Sequence, residues 1–67
     1  MKLKKFYGEI DKNKYPESND YITIQARTIK EAREICEKTV GDLISNVQTK
    51  KPEEPFKMLC ILTSKGG

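Results

Sequence analysis

The chain contains no histidine and no tryptophan among its 67 residues. Without histidine it lacks the side chain that most often acts as a general acid, a general base or a metal ligand near neutral pH. Carboxylates, lysines or tyrosines would have to replace it, and no pair of these groups is placed as an active site would place them. So short a chain also has little material for the walls of a pocket. We therefore expect no enzyme activity, no cofactor and no metal site.

Cysteine is scarce, and the apolar runs are short. Cys36 and Cys60 form neither a disulfide framework nor a metal motif. Their positions predict two core-facing thiols that pack as small hydrophobes in the reducing cytosol, so we expect a cytoplasmic protein. A reactive thiol would need an electropositive, partly exposed site, for which Arg33 near Cys36 is weak support. No run approaches the roughly 18 apolar residues of a membrane span, and no apolar stretch follows residues 1–5 to make a signal peptide.

Length and charge predict one small domain over residues 1–67. Charged residues make up 34% of the chain and apolar residues 36%, so a thin core is expected. A chain of this length should have a free energy of unfolding of roughly 3–10 kcal/mol. The net charge of +3 is lower than most nucleic-acid-binding domains carry.

Two strands are predicted in the first half of the chain. Residues 2–10 mix apolar and lysine positions and read as a first strand. Residues 11–20 are polar and rich in turn-forming residues, which predicts a loop. Residues 21–26 alternate regularly, with Ile22, Ile24 and Ala26 on one side and Tyr21, Thr23 and Gln25 on the other.

One helix follows the second strand. Thr28 and Glu31 have the spacing of a capping box, in which Glu31 would accept the Thr28 amide. The apolar residues that follow recur on one stripe, and Gly41 is a natural helix stop. A helix of about twelve residues is marginal alone, so it should pack on the sheet.

The last third of the chain predicts two more strands. We interpret residues 42–49 as a third strand, with a helical extension past Gly41 as the competing interpretation. Pro52 and Pro55 mark a charged turn over residues 50–55. Residues 58–62 are an unbroken apolar run of strand length, followed by a flexible tail over residues 64–67. The predicted fold is α+β: a mostly antiparallel sheet of about four strands in the order β-β-α-β-β, with one helix on one face.

A single helix covers one face of such a sheet, which leaves apolar surface on the other. Alternation along residues 58–62 places Met58, Cys60 and Leu62 on one side and Leu59 and Ile61 on the other. Contiguous exposed apolar patches mark interaction sites. We therefore expect a non-catalytic module that binds a protein partner or a second copy of itself. The expected contact residues on the open face are Tyr21, Thr23, Leu59 and Ile61. A loop over this face, formed by residues 11–20, is the alternative.

A weaker alternative is nucleic-acid binding through the sheet. Lys4 and Lys5 belong to the one basic concentration in the chain, and Tyr7 follows them. Strand aromatics can stack on bases while lysines contact phosphates. Lysines on an edge strand are, however, also a common protection against aggregation. Short, lysine-rich single-domain chains of this style are common among accessory proteins of phages and mobile elements, and we expect such an origin here.

The chain ends in Lys65-Gly66-Gly67. Together with the Ile22–Ile24 strand, the helix opened by Thr28-Ile29 and the apolar 58–62 strand, this ending resembles the ubiquitin-like and sulfur-carrier proteins of β-grasp fold. The resemblance implies that the first and last strands pair in parallel at the sheet centre. It also implies that the carboxylate of Gly67, reached through Gly66, is adenylated and then carried as a thiocarboxylate or joined to a lysine. Glycine suits this chemistry because a tail without side chains can enter a narrow active site.

Overall fold

The computed structural model describes residues 2–64, and an antiparallel strand pair forms the centre of its sheet. Strand β1 (Lys4–Ile10) pairs with strand β2 (Asp20–Ala26) from Lys4 opposite Ala26 to Glu9 opposite Tyr21. The regular alternation of β2 gives one fully buried side, on which Ile22 and Ile24 are 0% exposed. Burying each of these side chains stabilises the fold by roughly 1.5–3 kcal/mol.

Helix α1 (Ile29–Thr39) begins and ends as the sequence predicts. The Thr28 hydroxyl oxygen accepts the Glu31 backbone N–H at 3.1 Å. Glu31 reaches back to the Arg27 amide at 3.1 Å, one residue earlier than the expected Thr28 amide. At the other end the Val40 N–H donates to the Cys36 carbonyl at 2.8 Å, and Gly41 follows with φ of +55°. This left-handed backbone conformation ends the helix, because residues with a Cβ adopt it only with strain.

Two further strands form the edges of the sheet. A short 3-10 turn at Gly41–Leu43 precedes strand β3 (Ile44–Gln48), which pairs antiparallel with β1. The predicted third strand is therefore present, and the turn replaces its first two residues. Strand β4 (Lys57–Thr63) pairs in parallel with β2, so the strand order is β3-β1-β2-β4. The α+β prediction and its β-β-α-β-β order are confirmed over the described residues, with two antiparallel pairings and one parallel pairing.

The core lies between the helix and one face of the sheet. The helix packs on β2, β3 and β1. The buried members of the core are Phe6, Ile22, Ile24, Ala26, Ala32, Cys36 and Val47. Gly8 lies on the same side in β1, where Ile22 and Ile44 leave little room for a side chain.

The two long connections differ in where they lie. In the 11–20 connection, the Lys12 ammonium group donates to the Ser18 carbonyl and to Asn19 Oδ1, and lies 5.4 Å from the centre of the Phe56 ring. Tyr15 in this loop is 49% exposed. The 49–56 connection runs from β3 at one sheet edge to β4 at the other, and its Glu54–Pro55 peptide bond is cis.

Within residues 2–64, no helix has the length and apolar character needed to cross a membrane.

Candidate functional site

Strand β4 carries most of the exposed large apolar side chains. Met58, Leu59 and Ile61 are 50%, 57% and 51% exposed, while the central strands beside them are mostly buried. β4 lies at the sheet edge, and Lys57 is the only charged residue between positions 57 and 63. Edge strands in native proteins are usually shortened or carry charges or prolines that prevent pairing with another chain. From Met58 to Thr63 this strand has no charge and no proline, and a bulge at Leu59 is its one irregularity.

A bulge in β4 changes which residues share the open face, meaning the sheet face opposite the helix. Tyr21 is opposite Met58 and Ile22 is opposite Cys60, so Leu59 is an extra residue without a partner on β2. Met58 and Ile61 therefore lie with Tyr21 and Thr23 on the open face. The prediction that Met58 shares a side with Cys60 and Leu62 is wrong, because strict alternation fails wherever an extra residue is inserted.

The four predicted contact residues divide into two classes. Leu59 and Ile61 are more than half exposed, whereas Tyr21 and Thr23 are 5% and 4% exposed. The Thr23 hydroxyl lies 3.1 Å from the Met58 sulfur, and the Tyr21 ring makes an edge contact with the Tyr7 ring at 5.9 Å. The structure thus places Ile61 beside Tyr21 and Thr23 on the open face, while Leu59 is exposed at the bulge, and the accessible surface comes from β4.

Residues of the 49–56 connection lie beside Tyr21. Lys51, Pro52 and Phe56, with Glu53 and Glu54, line a depression of about 580 Å³ beside the Tyr21 ring. The Lys57 N–H donates to the Asn19 carbonyl at 2.8 Å and fixes the end of this connection against the start of β2. The segment beside Tyr21 is thus the 49–56 connection, whereas the alternative named residues 11–20.

The helix-side surface of β4 is also accessible. Cys60 is exposed, while Leu62 packs partly against the core. The prediction that Cys60 faces a covered core is wrong, because α1 packs on β2, β3 and β1. Cys36 is buried as predicted. Burial is the main cause that raises the pKa of the Cys36 thiol, and the nearby Cys60 thiol raises it further. A raised pKa keeps this thiol protonated, which is the reverse of what a reactive cysteine needs.

The backbone of β4 has a defined outward side. The Ser64 N–H donates to the Gln25 carbonyl at 2.8 Å, so the Ser64 amide faces β2. Peptide groups alternate in direction along a strand, so those of Leu62 and Cys60 also face β2, whereas those of Ile61 and Thr63 face away from the sheet. Within residues 2–64, no strand pairs with this outer side. The outer edge therefore offers the hydrogen-bonding groups that an added strand requires.

The end of β4 is fixed to the start of the helix. The pKa of the Glu31 carboxyl is held below its usual value, mainly by a hydrogen bond from the Arg27 amide. A hydrogen bond from the Ser64 hydroxyl is the second cause. The Arg27 guanidinium lies 3.4 Å from the same carboxylate. The Ser64 hydroxyl, directly after β4, thus contacts the side chain of Glu31 near the start of the helix.

The residues predicted for nucleic-acid contact do not act from one surface. Lys4 is opposite Ala26 and Lys5 is opposite Gln25, so the two lysines lie on opposite sheet faces. On the open face Lys5, Tyr7 and Lys51 line a depression of about 240 Å³ together with Met58 and Ile61. Lys51 was not among the predicted residues, because only the path of the 49–56 connection brings it there.

The strand pairing expected from the β-grasp resemblance is not found. β4 pairs with β2 at the sheet edge, and β1 pairs with β2 and β3. The predicted carrier residues Gly66 and Gly67 lie outside the described residues.

Another depression, of about 390 Å³, lies between α1 and β3 beside Cys36, Arg33 and Glu37. The described residues contain no group of three or more His, Cys, Asp or Glu side chains that could hold a metal ion.

Comparison with known proteins finds no matching family model, no matching curated protein and no matching solved structure. What the protein does must therefore be inferred from its own residues.

Proposed function

We propose that this protein is a small, non-catalytic interaction module that binds a protein surface through strand β4. The observation that carries the proposal is the exposure of Met58, Leu59 and Ile61 on an edge strand without charge after Lys57. Met58 and Ile61 lie on the open face and Leu59 is exposed at the bulge, and we call these three residues the apolar strip. A strip of this kind on so small a protein is costly to leave in water, which favours a partner that covers it.

The geometry supports a protein partner because backbone and side chains act together. The outward peptide groups of Ile61 and Thr63 would bond to an added strand and give affinity. The flanking apolar side chains would then select the strand, as in other cases of strand addition to a sheet edge. Because β4 is already paired with β2 along its length, its backbone needs no ordering when a partner strand is added.

A pair of lysine substitutions tests this proposal. Ile61→Lys places a charge in the apolar strip, and Asn46→Lys places the same charge at an exposed position on the opposite edge strand. Each change should alter the free energy of unfolding by less than about 1 kcal/mol, because both side chains are exposed and a lysine stem can lie along apolar surface. Association should be lost in Ile61→Lys and kept in Asn46→Lys.

Association is measured in two ways on these purified proteins. Sedimentation velocity across a wide concentration range detects self-association. A different partner is sought by capturing cellular proteins on each immobilised protein. Any captured protein is then purified and tested in a direct binding assay. If wild type and Asn46→Lys associate with nothing in either assay, or if Ile61→Lys associates as well as they do, the proposal is wrong.

Nucleic-acid binding is the second candidate, favoured by the gathering of Lys5, Lys51 and Tyr7 around one depression. The burial of Tyr21 leaves Tyr7 as the ring available for stacking, which weakens this candidate. It requires a salt-dependent shift with single-stranded oligonucleotides that is reduced by Lys5→Glu and Lys51→Glu but unaffected by Lys4→Glu on the other face. The absence of any shift at low salt would exclude it.

A further inference from the structure

We infer that the occupant of the β4 edge is a second copy of this chain, paired antiparallel about a two-fold axis at Ile61. The two four-stranded sheets would then join into one continuous sheet of eight strands. This inference rests on the proposed function, since it names what covers the same surface. Two features carry it: the outward peptide groups of β4 and the self-complementary apolar side chains that this register sets opposite one another.

The position of the axis follows from the backbone of β4. After the bulge at Leu59 the strand is regular, and within this stretch the peptide groups of Ile61 point outward. An antiparallel two-fold pair centred there lets each Ile61 exchange both of its backbone hydrogen bonds with Ile61 of the other copy. The same register sets Cys60 opposite Leu62 of the other copy and places the bulge residue Leu59 at the end of the paired run, opposite Thr63.

The side chains are self-complementary in this register. Ile61 meets its own copy on the open face, and Cys60 meets Leu62 on the helix side, so both sides of the new strand pair are apolar. Cross-strand apolar pairs of this kind are the main stabilising contacts between neighbouring strands. Both Ile61 and Cys60 are exposed in the single chain, so pairing removes their surface from water.

Within residues 57–63, charge is compatible with the antiparallel arrangement. In the proposed register the two Lys57 residues lie roughly 26 Å apart along the strand direction, given the rise of about 3.3 Å per residue. This separation is several times the Debye length of about 8 Å at physiological ionic strength. A parallel, in-register pair would set one Lys57 directly opposite the other, which is destabilising.

The other edge of the sheet explains why the assembly should stop at two copies. β3 has five residues, and its Ser45 and Asn46 are exposed and polar. It lacks the apolar strip of β4, so pairing through β4 closes the assembly around one two-fold axis. The paired run of residues 59–63 is only about 17 Å long. Its contact area falls short of the roughly 800 Å² per partner of a standard stable interface, so the dimer should be weak and reversible.

Disulfide trapping tests both the occupant and the axis. In a Cys60→Ser background, Ile61→Cys should cross-link readily, because directly opposite Cα atoms about 5.5 Å apart lie within the range of a disulfide. Wild-type Cys60 should cross-link poorly, because in this register the two Cys60 residues are diagonal neighbours about 7–8 Å apart. Ser45→Cys in the Cys60→Ser background measures collisional cross-linking at the other edge. Diamide is the oxidant: two thiols form the disulfide, and the two hydrogens reduce the diazene bond to a hydrazine.

The expected result is a covalent dimer that accumulates at least tenfold faster for Ile61→Cys than for wild type or Ser45→Cys. A second measurement needs no substitution: the average mass of reduced wild type by sedimentation should rise reversibly with concentration towards twice that of the monomer. A cross-linking rate for Ile61→Cys no higher than for Ser45→Cys, or faster cross-linking through wild-type Cys60, would overturn the inference.

Sedimentation also separates this inference from the proposed function. Wild type that stays monomeric at every concentration overturns the dimer. If a purified protein still binds wild type and Asn46→Lys but not Ile61→Lys, β4 remains the binding surface and only its occupant was wrongly assigned. If no association of any kind depends on Ile61, both the dimer and the proposed function are wrong.

Discussion

Replacing Gly8 with alanine should destabilise the protein, although alanine normally suits a strand better than glycine does. Gly8 lies in the middle of β1 on the side that faces the helix. A Cβ atom there would lie 2.9 Å from Ile44 Cγ2, 3.2 Å from Ile22 Cγ1 and 3.5 Å from Ile24 Cδ1. The favourable separation of two carbon atoms is about 3.5–4.0 Å. Two of the three contacts are therefore too close.

The magnitude follows from two opposing effects. Removing glycine from a strand should stabilise the fold by roughly 0.5–1 kcal/mol through the entropy of the unfolded chain. Overpacking a filled core costs roughly 1–3 kcal/mol. We expect overpacking to win by about 1–2 kcal/mol, which for a domain of this size lowers Tm by roughly 4–16 °C.

A double-mutant cycle shows whether the cost has this cause. Ile44→Ala removes the atom closest to the added methyl group, so Gly8→Ala should cost at least about 0.5 kcal/mol less in that background. The free energies of unfolding would come from urea denaturation followed by circular dichroism. An equal cost in both backgrounds, or stabilisation by Gly8→Ala alone, would refute the packing described around β1.

Three further predictions concern the helix and the thiols. Gly41→Ala should destabilise the fold by about 1–2 kcal/mol in urea denaturation, because nothing crowds the site and the cost comes from the positive φ alone; an unchanged stability would contradict the left-handed helix end. The lowered pKa of Glu31 means that its carboxylate stabilises the fold at neutral pH and that this contribution is lost as the pH falls through the folded-state pKa. Glu31→Gln should therefore make stability decline less steeply between about pH 5 and 3, and parallel profiles would count against the contact. Mass spectrometry after brief iodoacetamide treatment should find Cys60 alkylated well before Cys36, whose thiol is buried and has a raised pKa; equal rates would contradict the described burial.

Local patterns predict the central part of this fold well. The alternation of residues 21–26 identifies β2 and its buried side, and Thr28 with Gly41 marks both helix ends. These features depend on neighbouring residues, whose side chains and backbone interact directly. The capping contact of Glu31 differs by one residue because the amides of Arg27 and Thr28 are adjacent and compete for the same carboxylate.

The candidate site depends on long-range geometry that local patterns do not contain. Parallel pairing of β4 with β2 is set by the whole topology, and the bulge at Leu59 moves Met58 to the open face. Neither has a sequence signal within residues 57–63. The exposure of Cys60 depends on where the helix lies across the sheet. The burial of Tyr21 depends on the path of residues 51–56.

The central claim is that this protein associates with a second copy of itself through β4. Its most direct test is a concentration series of amide NMR spectra on reduced, uniformly labelled wild type. We expect the shifts that change with concentration to fall on residues 58–63, with the outward amides of Ile61 and Thr63 among the most affected. Spectra that stay unchanged along β4 up to the highest concentration reached, or changes that fall on β3 instead, would contradict association of the chain through β4.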